Sequence, residues 1–215
     1  MYSVKEAFYT LQGEGARAGR ASVFCRFTGC NLWSGREADR ASSPCRFCDT
    51  DFVGTDGQHG GRFRDATSLA DHLAALWPTN TVGKAAPYVV FTGGEPLLQL
   101  DASLIEAMHA RDFEVAVETN GTIEIPAGID WLCVSPKGTS RMVVTRGDEL
   151  KLVYPQRDAP PERFAHLDFQ YFYLQPMDLT PLHGEGDTMA EVVAYCLRTP
   201  QWQLSLQTHK IVGID

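Results

Sequence analysis

Long apolar runs are missing from this sequence. Nowhere do about 18 apolar residues follow one another, whereas a bilayer-spanning helix needs about 20. The first ten residues already carry Lys5 and Glu6 and hold no apolar stretch of the kind an export signal requires. No membrane contact is expected, and the cytoplasm is the expected location. Positive charge is also scarce: 19 Lys and Arg stand against 27 Asp and Glu, leaving a net charge of −8. Nucleic-acid binding draws its energy from cations that displace counterions around phosphates, so this balance argues against nucleic acid and for a small-molecule substrate. Internal repeats are absent, and with 44% hydrophobic and 21% charged residues the chain is neither low-complexity nor disordered.

Cysteine is sparse and unevenly placed. Four of the six, Cys25, Cys30, Cys45 and Cys48, fall in the first quarter of the 215 residues, while Cys133 and Cys196 stand alone in apolar contexts that suit a core. With no export signal, these residues read as thiols or metal ligands before disulfides. The length suits one domain, 1–215.

Short β-like runs alternate with helical stripes, the pattern of parallel βαβ units. The expected strands are Ala21 to Thr28, Tyr88 to Thr92, Phe113 to Glu118, Trp131 to Ser135, Leu150 to Tyr154, Tyr171 to Gln175 and Gln203 to Gln207, so six or seven strands fit. Three stripes predict helices with apolar core faces: Leu69, Leu73, Leu76 and Trp77 behind a cap at Thr67 or Ser68; Leu104, Ile105 and Met108 after Asp101; Met189, Val192, Val193 and Cys196 after Asp187. The Gly-rich stretch from Gly54 to Gly61 predicts a surface excursion. Polar and glycine motifs recur just past the strand ends, where parallel sheets collect their ligands.

Cys45 and Cys48 form a C-x2-C pair able to reach one metal centre from a single turn, and Cys30 extends it to C-x14-C-x2-C. Three ligands suit a cubane cluster with one open iron. A structural zinc site that adds Cys25 as fourth ligand is the competing reading. Against it, Cys25 shares a strand face with Val23 and Phe27, while Arg26 takes the opposite face. In Phe91-Thr92-Gly93-Gly94-Glu95-Pro96, two glycines after a strand let backbone approach a ligand closely; taken alone, the same residues make a tight turn into a helix.

Together these motifs resemble the radical S-adenosylmethionine (SAM) superfamily and, within it, the 7-carboxy-7-deazaguanine synthase family of queuosine and deazapurine biosynthesis. The resemblance covers nearly the whole chain: Leu11-Gln12-Gly13-Glu14-Gly15, Phe24-Cys25-Arg26-Phe27, Gly29-Cys30-Asn31-Leu32, Cys45-Arg46-Phe47-Cys48-Asp49-Thr50, Thr92-Gly93-Gly94-Glu95-Pro96, Glu118-Thr119-Asn120-Gly121, Ser135-Pro136-Lys137, Gln175-Pro176-Met177-Asp178 and Gln207-Thr208-His209-Lys210. It departs from the superfamily's usual C-x3-C-x2-C spacing through an insertion from Asn31 to Pro44, which reads as a replaced cluster loop. A glycyl-radical-activase-like radical SAM enzyme is a rival, but the chain has no extra cluster cysteines for it.

The resemblance implies an α/β fold, an open, partial (β/α)6-like barrel with a modified cluster-binding loop at 29–50 and a C-terminal segment, 200–215, closing the substrate site. It implies a lyase in which Cys30, Cys45 and Cys48 ligate a [4Fe-4S] cluster that cleaves SAM reductively. SAM would be held by Phe47, Cys48, Asp49, Gly94, Glu118, Ser135, Pro136, Lys137, Gln175, Pro176, Met177 and Asp178. Lys137 and Glu118 also fit a bland role as solvated charges. The substrate would be 6-carboxy-5,6,7,8-tetrahydropterin, bound by Leu11, Gln12, Gly13, Glu14, Arg26, Thr92, His209 and Asp215, with Arg26 on its carboxylate because a planar fork matches that group. Glu14 and His209 are the acid/base candidates, and Thr50 would bind Mg2+. A flavodoxin or ferredoxin as electron donor and a homodimer complete the implied partners.

Overall fold

The computed structural model describes residues 1–79, 85–182, 184 and 186–214. Asp215, expected at the substrate site, lies outside the described residues. Among them, nine strands form one open sheet: β1 (Tyr2–Leu11), β2 (Ala21–Phe27), β3 (Gly61–Phe63), β4 (Tyr88–Gly93), β5 (Glu114–Thr119), β6 (Trp131–Val134), β7 (Arg146–Tyr154), β8 (Asp168–Pro176) and β9 (Trp202–Leu204). Their order is β3-β1-β2-β4-β5-β6-β7-β8-β9. From β2 to β9 every neighbouring pair is parallel, while β1 pairs antiparallel with both β2 and β3.

Nine strands replace the expected six or seven, and the additions are β1 and β3. The sequence hides β1 because its alternation breaks: the register against β2 shifts between Val4 and Glu6. Tyr2 and Val4 reach the core before this irregularity and Ala7 after it, so no single period of two runs through the strand. β3 is three residues long, and the stretch before it is the surface excursion expected at residues 54 to 61.

Four helices accompany the sheet among the described residues: α1 (Ala66–Ala74), α2 (Ala102–His109), α3 (Thr188–Arg198) and α4 (Thr208–Val212). The cap of α1 is Asp65, rather than Thr67 or Ser68; Ser68 instead completes a reciprocal capping box with it. Asp101 and Asp187 cap α2 and α3 as their positions suggest. On α3 the buried residues are Val192 and Tyr195, whereas Met189 and Val193, expected in the core, are 40% and 38% exposed.

Helices do not fill every crossover. Between β5 and β6, Ile123, Ile125 and Ile129 of an irregular segment pack on the core in place of a helix. Between β6 and β7, Val144 and Met142 do the same. One large core lies on the face covered by α1 and α2, with Val23, Cys25, Phe27, Phe91, Val115 and Val117 pointing into it; a second, around Leu150, Leu152 and Leu174, is covered by α3. Among the described residues, the opposite, concave face carries a small buried apolar cluster, Tyr88, Val90 and Ala116. That face is left for polar side chains. No described helix is long and apolar enough to cross a membrane.

Candidate active site

Strand alternation delivers the polar residues. Thr10 from β1, Arg26 from β2, Thr92 from β4, Glu118 from β5, Lys151 and Val153 from β7 and Gln175 from β8 all line one cavity of about 430 Å³ on the concave face. The segment after β1 crosses this face as a strap. Gln12 Nε2 donates to Glu118 Oε1 (3.1 Å), the Gly15 N–H to Ser205 Oγ (3.0 Å) and the Ala16 N–H to Glu149 Oε2 (2.8 Å). Gly15 has φ +63, and any Cβ there would strike the Glu149 carboxylate, so glycine is required. Beneath the strap, Arg17 stacks over Trp131 at 4.0 Å and Arg20 over Tyr88 at 3.7 Å, and both pair with Glu114.

The cysteines meet at the cavity's other wall. Cys30, Cys45 and Cys48 all line it, whereas Cys25 is fully buried in the main core on the other side of the sheet. A four-cysteine zinc site is therefore not assembled. The Cys45 and Cys48 thiols hydrogen-bond to one another, which pushes the Cys45 thiol up and brings Cys48 down to about 6. Burial raises Cys30. A thiol ionised near neutrality, in a trio that faces a cavity, is the donor set an iron–sulfur cluster needs.

The insertion between Cys30 and Cys45 is a compact frame for these sulfurs. Its centre is Arg40, on a 3-10 turn spanning Glu37–Ser42. Arg40 Nη1 donates to the carbonyls of Arg46 and Cys48 (both 2.9 Å), its Nε binds Glu37 (2.8 Å), and its guanidinium stacks over Trp33 at 4.2 Å. Ser43 adds a second brace, donating to the Leu32 carbonyl (2.8 Å) and accepting from the Cys45 N–H (3.1 Å).

The glycine-rich end of β4 lies against the same loop. A Cβ on Gly94 would meet the Gly29 carbonyl and the Cys30 side chain, so only glycine lets β4 approach the first cysteine this closely. Glu95 is buried and turned away from the cavity. Its carboxylate accepts from Thr119 Oγ1 (2.7 Å), the Asn120 N–H (2.8 Å) and the Leu97 N–H (3.0 Å), and burial raises its pKa. Asn120 in turn donates to Asn31 Oδ1 (2.9 Å), joining the end of β5 to the residue after Cys30.

Across the cavity, Lys151 Nζ sits 2.7 Å from Glu14 Oε2 and 2.8 Å from Glu118 Oε2. Burial disfavours the Glu14 carboxylate, but Lys151 beside it outweighs that and holds it down to about 2. Arg26 Nε pairs with Glu6 Oε1 at 2.8 Å and lines the cavity. Lys137 bonds Ser135 and stands 6.0 Å from the Phe47 ring centroid.

α4 covers the opening. Thr208 donates from both its N–H (2.9 Å) and its hydroxyl (2.8 Å) to the Gly13 carbonyl, and Gln207 Nε2 donates to Glu14 Oε1 (3.0 Å). His209 lies so close to Gly13 that a Cβ there would overlap its ring, and burial lowers its pKa.

Of the expected site residues, Leu11, Gln12, Gly13, Glu14, Arg26, Phe47, Asp49, Thr50, Thr92, Gly94, Glu118, Ser135, Lys137, Gln175, Pro176, Asp178 and His209 join the three cysteines around this cavity. Pro136 and Met177 are buried behind its wall instead. Sequence reasoning missed Lys151 and Arg40. The alternation Glu149-Leu150-Lys151-Leu152 held the signal for the first, since apolar neighbours facing the core turn the charges inward. Cys133, expected in an apolar core, is buried but faces Glu118 and Glu149.

No family model matches the chain. Curated relatives match along its whole length. A protein of Bordetella pertussis named 7-carboxy-7-deazaguanine synthase is 65% identical over 213 residues, covering 99% of both chains. One of the same name from Bradyrhizobium diazoefficiens is 62% identical over 213 residues, again covering 99% of both. Among solved structures, the crystal structure of QueE from Escherichia coli superposes with a TM-score of 0.70 at 24% identity, covering 95% of this chain and 93% of that one, which establishes the shared fold. With nearly two thirds of its residues shared end to end with such relatives, this chain belongs to the 7-carboxy-7-deazaguanine synthase family.

Proposed function

We propose that this chain is a radical SAM lyase of queuosine and deazapurine biosynthesis. It converts 6-carboxy-5,6,7,8-tetrahydropterin to 7-carboxy-7-deazaguanine, with ring contraction and loss of ammonia. The observation that carries this reading is the cavity itself: three thiols line the same cavity as Glu14, Arg26 and Thr92. In this reading the sheet is the open, partial (β/α)6 barrel of radical SAM enzymes, used as a single domain.

Cys30, Cys45 and Cys48 would hold a [4Fe-4S] cluster, with SAM beside it. When bound, cluster and SAM supply a carbon-centred radical that takes a hydrogen atom from the substrate. The chain's own residues do the rest. Phe47 offers a face for the adenine; Glu118 and Ser135 offer acceptors for ribose hydroxyls; Gly94 lets backbone reach the amino acid end. Asp49, Lys137, Gln175, Pro176 and Asp178 complete the SAM wall, with Pro136 and Met177 supporting it from behind.

Arg26 faces the substrate carboxylate, oriented by Glu6. Gln12 and Glu14 address the polar edge of the pterin, and α4, through Gln207 and His209, excludes water from above. Leu11, Gly13 and Thr92 shape the remaining wall. Thr50, in the cavity lining, would contribute a hydroxyl to Mg2+, which would help to hold the oxygens of the substrate. A flavodoxin or ferredoxin serves as electron donor. A cytoplasmic homodimer fits the exposed apolar stripe of Met189, Val193 and Leu197 on α3.

The test is anaerobic incubation of reconstituted protein with SAM, reductant, Mg2+ and the carboxypterin, followed by product mass. Protein that carries about four irons and binds SAM, yet releases no product at the deazaguanine mass, overturns the reading.

A further inference from the structure

Lys151, on β7, lines the cavity. Leu150 and Leu152 point outward into the core under α3, so their neighbour turns inward, where its side chain is 4% exposed. One ammonium then touches two carboxylates from distant parts of the chain: Glu14 on the strap at 2.7 Å and Glu118 at the end of β5 at 2.8 Å. Each carboxylate is fixed at its other oxygen as well. Glu118 Oε1 accepts from Gln12, while Glu14 Oε1 accepts from Gln175 and Gln207, both at 3.0 Å.

A buried ion pair can be a purely structural feature, and such pairs often add little stability over apolar residues of the same shape. This one lies in the wall of the cavity, away from both large cores, and its two acids belong to different subsites. Glu14 faces the pterin side and Glu118 the SAM side. A rigid link between them means that a ligand ordering one carboxylate also orders the other.

We propose that Lys151 is a positioning residue that locks Glu14 and Glu118 into one unit, so that the pterin and SAM subsites fill cooperatively. This rests on the function proposed above for the two subsites. Lys151 would be the cation shared by the two acids, and its loss would free both to move apart. The titratable groups around it are Glu14, Glu118, Glu149, Cys133 and His209.

The experiment uses anaerobically reconstituted holoenzyme and equilibrium dialysis: the SAM dissociation constant with and without carboxypterin, and the reverse. In the wild type each ligand tightens the other by the same factor, about fivefold or more. In Lys151→Met that factor falls to about one with iron content unchanged, and both KM values rise.

Should Lys151→Met lose iron or folded CD signal, Glu118→Gln takes its place, keeping shape while removing charge, and the factor again falls to about one. A wild-type factor of one, or a factor unchanged in the folded variant, overturns the proposal. Wild-type holoenzyme that binds no carboxypterin defeats the proposed function instead.

Discussion

Lys210 and Asp49 pair at 2.8 Å, tying the last helix to the loop that follows the cysteines. The same ammonium reaches Asp178 at 2.8 Å, so three segments that are remote in sequence close over the cavity around one cation. Burial works against that charge, but its bonds to Asp178 and Asp49 raise the Lys210 pKa. Closure of the site thus depends on charge pairing at its rim as well as on the strap beneath.

Lys210→Ala is expected to raise KM several-fold with little loss of fold. The side chains are partly exposed, 42% for Lys210 and 33% for Asp49, so the pair contributes no more than about 1 kcal/mol to stability. High salt should imitate the variant in the wild type by screening the same pair. Lys210 also holds Asp178 down to about 2 from its ordinary 3.8. A depressed acid contributes stability above its unfolded pKa and loses it only as pH falls toward the folded value, so the latch should be indifferent to pH across neutrality. Steady-state kinetics at two salt concentrations, with melting temperatures, check this; an unchanged KM would count against a closing role.

Cys25 and Cys30 should part company on mutation. Cys30→Ala is expected to lose iron and turnover, since it removes one of three cavity-facing thiols. Cys25→Ala should keep its iron while melting slightly earlier, by about 1 kcal/mol, for it trims a fully buried side chain in a packed core. Iron content after anaerobic reconstitution distinguishes the two. Equal iron loss would restore Cys25 as a ligand.

The sequence marked Cys25 as core by strand parity, and Cys30, Cys45 and Cys48 as site by their C-x14-C-x2-C spacing. Val23, Cys25 and Phe27 share a face with the main core, and Arg26 turns to the cavity, as alternation requires. The same rule carried Thr92, Glu118 and Gln175 to the cavity. It failed where a register shift interrupts it, which hid β1, and where crossovers use isoleucines of irregular segments instead of helices. On α3, Met189 and Val193 follow helical spacing yet face outward, because a stripe of apolar residues does not reveal which side of a helix the sheet will take. Lys151 went unnoticed for a different reason: its partners Glu14 and Glu118 lie far away in the chain, and only the fold brings them together.

Arg40 should be needed for the cluster and not for the fold. Its carbonyl contacts fix the turn carrying Cys45 and Cys48, yet it sits in a loop outside both large cores. Arg40→Lys keeps the charge but cannot fork to two carbonyls while stacking on Trp33. Iron per chain is expected to fall by at least about half, with a melting temperature close to wild type, because hydrogen bonds in an exposed loop contribute only about 0.5–1.5 kcal/mol each. Full iron occupancy in this variant would show that the turn holds its shape without the guanidinium.

Glu95 gives the clearest pH signature. Its burial raises its pKa from 4.5, and the three donors around it only partly offset that cost. An acid whose folded pKa lies above its unfolded one binds its proton more tightly in the native state. Its contribution to stability is therefore largest below about 4.5 and declines as pH rises through the folded value. Glu95→Gln removes this slope but presents an amide N–H where Thr119, Asn120 or Leu97 already donates, so it should destabilise the holoenzyme by about 1–3 kcal/mol. Denaturant melts from about pH 4.5 to neutrality should show the wild type losing its advantage over the variant as pH climbs. A constant difference between the two would mean that Glu95 keeps an ordinary pKa and that its donors fully compensate its burial.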